Sequence, residues 1–395
     1  MSTGPDFFTQ AVNFVNSQFG GVDPRTGLFH VSVALPELVG NDQAGPFLAL
    51  NLLYAPLNPT HTGFGRSVTT GLTTYDASER LLVLSTGEQY KTQETDATLD
   101  LLQSKNMVRI TKEQDAYRVT HRSGVVEVLT GPKHPHPVKV PVVLLSDTGH
   151  QLSLTWDFDG PLPRLRQVRD AADVLLAVDY DGDSKATLVY QPGTPASARF
   201  ELHLQEGRLS RVVLPAPGAE YRFAYSQVGG QGEWGQLITD VATPVGGREQ
   251  VVYSTDGAGH RFPDSAALPA LPYVTRHTIN TGSGEPELQT SYEYTAHNFL
   301  AAQTTLTWNP DADNLYQVLT DYTYGSTSRT VIDSEERTVE HTFNRFHLLT
   351  TQSTRQREIT QTELTDYDVL AGKSFADQQA DFQQPRATRT EFSGG

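Results

Sequence analysis

Each reaction class needs particular side chains at set spacings, and few stretches of this chain offer them. Asp147-Thr148-Gly149 follows the apolar run Val142-Val143-Leu144-Leu145, as a protease carboxylate loop does. That mechanism needs two carboxylates sharing a proton. No second Asp-Thr/Ser-Gly is present, so a turn between strands is expected. Carboxylates alternate through Asp179-Tyr180-Asp181-Gly182-Asp183. An EF-hand loop needs Gly sixth and Glu twelfth, where this chain has Ser184 and Tyr190. Gly230-Gln231-Gly232-Glu233-Trp234-Gly235 has dinucleotide-loop spacing, but Leu237 to Val241 reads as a strand where a helix must follow. His134 and His136 flank Pro135 with no third ligand nearby, so a solvated loop is expected rather than a metal site. His-Glu-x-x-His is absent, and Gly282-Ser283-Gly284 lacks the spacing of a nucleophile elbow. No catalytic, cofactor or metal site is expected, and the chain reads as a non-enzyme.

Composition narrows the classes further. Cysteine is absent, which excludes disulfides, zinc-thiolate sites and cysteine nucleophiles. The net charge is −16, and no Lys/Arg run exceeds two residues, so neither nucleic acid nor an anionic membrane is an expected partner. Met1 to Gly20 has neither the basic nor the apolar region of a Sec signal. Synthesis in the cytoplasm is expected, with no membrane insertion by this segment, because no apolar run of about 18 residues exists. Asn58-Pro59-Thr60 is disqualified as a glycosylation acceptor by its proline.

The elements that must position these residues read as strands. The 395 residues suit two to four domains, or one large all-β body, at about 100–200 residues per domain. Hydrophobic content is 37%, below the roughly 45–50% average that also counts Gly. Thr, Ser, Gln, Gly and Pro make up the difference, as in short strands that bury one face. Pro5 to Phe19 is the best helix candidate, short enough to be one helix or none. Period-two alternation predicts strands at Leu28–Leu35, Gln151–Trp156 and Thr304–Trp308. The proline-rich stretch Gly131–Pro137 predicts a loop or edge. Residues 1–140 are expected to form an opening β segment and 141–395 a run of hairpins, with a soft break near 263–272.

Beyond residue 150 a kernel recurs: an aromatic, then Asp, Asn or Glu, a turn, a Leu and a new strand. Phe158, Tyr180, Phe200 and Tyr221 follow at steps near 20 residues, and Tyr324, Phe343 and Tyr367 repeat the interval. A unit of about 20 residues is a two-stranded hairpin. One hairpin cannot bury its apolar face alone, whereas a stack of them can. Residues 225 to 290 keep the pattern poorly and leave their register open.

This kernel resembles the YD repeat of the Rhs family, Tyr-Asp-x-x-Gly-(Arg/Asn)-Leu. Tyr180-Asp181-Gly182, Gly207-Arg208-Leu209, Tyr294, Phe343-Asn344 through Leu348, and Tyr367-Asp368 carry the likeness. Gly21 to Phe29, with Asp23, Pro24 and Gly27, followed by Leu35-Pro36, resembles the opening of bacterial Rhs shells. So does Tyr75-Asp76 with Leu81 to Leu84 and Ser85-Thr86-Gly87-Glu88. The resemblance implies an all-β fold: a long antiparallel sheet of YD-type hairpins curled as part of a spiral shell. Rhs proteins, the B/C cocoon of Tc toxins and the teneurins share that architecture, and the toxins enclose a cytotoxic domain in it. The motif that ends complete shells is not found, so the chain resembles the N-terminal portion of one. The implied partners are the rest of the shell, in the same or a separate chain, and an enclosed toxin, which the acidic balance would attract if it is basic. Export by a dedicated secretion system, or as a toxin complex, goes with that reading. The alternative is a carbohydrate- or cell-surface-binding module using the 16 Tyr, 17 Phe and 3 Trp, although sheet packing is the commoner use of such aromatics.

Overall fold

The structure, a computed structural model, describes residues 7–14, 20–58, 61–105, 108–229, 234–255 and 257–394. The chain is all-β. Its main feature is an antiparallel sheet of 20 strands running from Val108–Lys112 to Pro385–Ser393. Neighbouring strands follow in sequence with one exception. Val138–Lys139 leaves the ladder to pair with Thr74–Asp76, so Val126–Thr130 pairs directly with Pro141–Leu145. Sequence-adjacent hairpins need only short connections, and turn residues are what the kernel supplies.

Contacts divide the chain into two compact units. One is built from the described parts of 1–16, 20–30 and 223–395, the other from 31–222. Residue 140 thus lies inside the second unit and the stretch 263–272 inside the first; the division falls within the strand Glu220–Gln227.

In the second unit the hairpins alternate as expected. Gln151–Asp157 buries Leu152, Leu154 and Trp156 on one face and turns Gln151 and Thr155 outward. Leu154 pairs with Val168, Val168 with Leu176, and Leu176 with Tyr190, so the apolar side chains form rows across the sheet. Earlier residues of the same unit cover that face. Phe64 lies 6.2 Å from the Tyr180 ring, and Gly40 sits so close to Leu152 that a Cβ would come within 2.5 Å. A second cluster joins Tyr75, Leu82, Tyr90, Tyr117 and Leu129. In the first unit, Tyr316, Phe346, Leu348, Phe375 and Phe382 form a compact cluster.

Several expectations change. Phe29–Val33 forms within Leu28–Leu35, but all five residues are buried, so both of its faces are covered. Thr304–Trp308 is not a strand. Its Leu306 carbonyl and Trp308 amide bond the Ser265 hydroxyl at 2.7 and 3.1 Å, and the Trp308 ring meets Phe262 edge-on at 5.2 Å. Local side-chain bonds replace the ladder there. The helix candidate contributes only the 3-10 turn Ala11–Phe14, and its ends lie outside the described residues. Most of the Gly230–Gly235 motif, and Pro59-Thr60, also lie outside them. No described helix is long and apolar enough to cross a membrane.

Candidate functional site

At Asp76, Asn344 and Asp23 a short acid or amide caps the backbone of a turn. At Asp76, Oδ1 accepts from the backbone N–H of Ser78 (2.9 Å) and Glu79 (3.1 Å), while Arg80 takes a left-handed φ of 51° and Leu81 starts the return strand. At Asn344, Oδ1 accepts from the N–H of Phe346 (2.9 Å) and Leu348 (3.2 Å), and His347 holds φ at 63°. Asp23 does the same for Arg25 and Thr26 at 2.7 and 2.9 Å, with Gly27 at φ 66°. Gly27 has a second reason to be glycine: a Cβ would come within 2.5 Å of Tyr273. Pro24 occupies the turn between. Short polar side chains satisfy turn amides in this way, which is why Asp and Asn recur at these positions.

The aromatics of the kernel sit under the turns. Tyr180 lies beneath the Arg164 and Arg166 guanidiniums, 5.1 and 5.2 Å from its ring. Burial pushes its hydroxyl well above the ordinary tyrosine range, and among the described residues that oxygen has no hydrogen-bond partner. Asp181 and Lys185 are opposite each other in the strand register across an exposed turn containing Gly182, and Arg164 holds the Asp183 carboxylate. Gly207 and Glu206 take φ of 75° and 53° in the two-residue turn before Arg208, and Leu209 is buried. Phe343 stacks on Tyr324 at 5.2 Å with Arg25 above it at 4.7 Å. Tyr294 packs 4.5 Å from Tyr273, with its hydroxyl buried and without a hydrogen-bond partner among the described residues. Leu348 and Tyr367 join the Phe346 cluster, while Asp368 is exposed and pairs with Arg386 at 3.0 Å. The signature residues therefore hold separate turns; they do not converge on one site.

The remaining candidates resolve as structure. Asp147-Thr148-Gly149 is an exposed turn between Pro141–Leu145 and Gln151–Asp157. His134 packs 4.3 Å from Phe158, and the His136 ring nitrogens meet the Val138 and Pro161 carbonyls at 3.2 Å. The proline-rich stretch is thus a loop, but His136 is buried by these contacts rather than solvated as expected.

Sequence reasoning missed a buried polar centre in the first unit. Asp313 Oδ2 accepts from the Gln10 N–H (2.6 Å), the Thr9 hydroxyl (3.1 Å) and His347 Nε2 (2.9 Å), while Oδ1 accepts from the Leu315 N–H (3.0 Å). His347 Nδ1 meets the Tyr324 hydroxyl at 2.8 Å. The order Asp–His–hydroxyl is that of a relay. The His347 and Asp313 side chains are buried, only 0% and 1% exposed. Burial holds the Tyr324 hydroxyl well above the ordinary tyrosine range. This centre fastens the segment Thr9–Gln10 to residues more than 300 positions away. Tyr324, one of the spaced aromatics, and His347, the left-handed residue at the end of the Asn344 turn, belonged to recognised motifs; Asp313, Thr9 and Gln10 did not.

The second unit has a smaller counterpart. Glu94 accepts from the Tyr75 and Tyr117 hydroxyls at 2.7 Å each and pairs with Lys112 at 2.8 Å.

An open recess of about 460 Å3 lies over Gly325 in the first unit, flanked by Glu293, Thr295, Thr327, Glu340 and Thr342. A Cβ on Gly325 would come within 2.1 Å of the His341 carbonyl oxygen, so the gap in the side-chain row is built in. No protein-family model matches the chain, and no curated protein matches it.

Proposed function

We propose that this chain is a structural segment of an Rhs-type shell, with a sheet that helps enclose a cytotoxic domain. The observation that carries the reading is the ladder of 20 strands, built almost wholly from sequence-adjacent hairpins. The turn chemistry at Asp76 and Asn344 supports it, because an acid or amide that follows an aromatic caps a turn in each unit. Containment needs no reactive group. It needs strands in register, turns that stay closed and a polar surface to which cargo does not adhere. The partners are then the remainder of the shell, in the same or another chain, and a toxin domain. Production in a bacterial cytoplasm and export by a dedicated secretion system, or within a toxin complex, complete the proposal.

Co-expression with the polypeptide encoded immediately downstream tests it. The expected result is co-purification as a stable hollow particle, visible by single-particle imaging. A compact monomer that ignores its neighbour would remove containment as the function.

A further inference from the structure

Charged rows on one face of the first unit become visible only once the strands are in register. Direct cross-strand partners share a face of a sheet. Arg276 faces Ser291, Ser291 faces Arg329, Arg329 faces Thr338, Thr338 faces Arg355, and Arg355 faces Thr360. One row thus carries a guanidinium on every second strand. With strands about 4.8 Å apart, successive arginines stand roughly 10 Å apart. All three arginines are exposed, and none is ion-paired among the described residues.

A parallel row lies two residues along the strands. Glu293 faces Thr327 and Thr327 faces Glu340, so carboxylates occupy the alternate strands. Both are exposed and likewise unpaired among the described residues. The polar face of the second unit treats its charges differently. There Arg199 and His203 reach Glu201 at 2.9 and 3.4 Å, and Arg211 reaches Glu220 at 3.5 Å.

We propose that the Arg276–Arg329–Arg355 row binds a linear acidic polysaccharide carrying one carboxylate per disaccharide. The arginine spacing is close to the span of two linked pyranose rings, so each guanidinium can take one carboxylate through its two-pronged fork. The hydroxyls of Ser291 and Thr360 lie in the same row to meet sugar hydroxyls. The adjacent Glu293–Glu340 row repels a densely charged polymer and tolerates a sparse one. Thr278, Gln289 and Val331, beside the arginines, offer no aromatic platform for nucleobases, which disfavours single-stranded nucleic acid. This site stands apart from the shell reading, since it depends only on the local register of these strands.

Calorimetric titration of the full chain with hyaluronan oligosaccharides, which carry one glucuronate per disaccharide, tests the proposal at low ionic strength. Dextran and polyuridylate serve as neutral and nucleic-acid controls. Saturable binding to hyaluronan alone is expected, weakening as salt is raised. The combined variant Arg276→Gln, Arg329→Gln, Arg355→Gln lowers affinity at least about tenfold, while Glu293→Gln with Glu340→Gln raises it. The glutamate pair keeps the test informative should the triple variant fold poorly. Absence of hyaluronan binding, binding unchanged in both variants, or equal binding to polyuridylate would overturn the assignment.

Discussion

The hairpins from Gln151 to Val213 and those from Thr323 to Ser393 share a ladder and a turn chemistry, yet they bury their side chains differently. In the first set one face is apolar: Val178, Leu188 and Phe200 stand in one row, Ala186, Leu202 and Val212 in another. Residues 31–105 supply partners for that face, so the strands are held by area removed from water. In the second set both faces carry Thr, Ser, Gln and charged residues. Leu349–Gln356 is half-buried or exposed along its whole length, and Pro385–Ser393 is exposed at every position. Cross-strand hydroxyl pairs such as Ser353–Thr362 at 3.3 Å replace apolar contacts. Apolar burial there is concentrated at the strand ends, around Phe346 and Phe382, beside the Asp313 centre. One region is stabilised along its strands, the other at its turns.

The largest effect expected from this contrast is at Asp313. Asp313→Ala leaves four donors unsatisfied in a buried site and should cost about 3–5 kcal/mol in urea denaturation. It should also free Thr9 and Gln10, read as faster hydrogen exchange there than in Asp313→Asn. Leu202→Ala strikes the apolar region instead and should cost about 2–5 kcal/mol. The equivalent mid-strand change in the polar region, Thr354→Val, should stay within about 0.5 kcal/mol. A large effect at Thr354 would erase the distinction between the two regions.

Acid should sharpen the comparison next. Burial pushes the His260 imidazole down to about 3, so it is neutral in the fold, whereas the unfolded chain protonates near 6.5. The unfolded state therefore binds the extra proton between those values. Stability is full above pH 6.5 and is lost as pH falls toward 3, by up to about 1.4 kcal/mol per pH unit. His260→Gln should flatten that slope in the first unit. In the second unit His61 plays the same part, its imidazole lowered to about 4 by burial and by Arg66 and Arg164. The smallest of the deliberate losses belongs to the turns: Asn344→Ala should cost about 1 kcal/mol, the scale of one lost backbone cap, measured as a shift in the unfolding midpoint.

The sequence shows the strands clearly where one face is apolar. Gln151–Trp156 is legible because Leu152, Leu154 and Trp156 must share a side. Thr304–Trp308 shows the same alternation and is a loop, because the Ser265 hydroxyl takes its backbone groups. Local pattern cannot reveal a competitor some 40 positions away. Asp23, Asp76 and Asn344 are legible as turn formers since capping is a local act. The Asp313–His347–Tyr324 centre and the arginine row are illegible for the opposite reason. Each assembles residues from separate hairpins, and only the register brings them together.

The proposed enclosure of another polypeptide is tested most directly by protease protection. The downstream-encoded polypeptide, co-expressed with this chain, would be treated with a nonspecific protease and followed by mass spectrometry. Enclosure predicts that it survives for as long as this chain remains folded and is cut once urea unfolds the sheet. Digestion at the same rate with and without this chain would contradict the account.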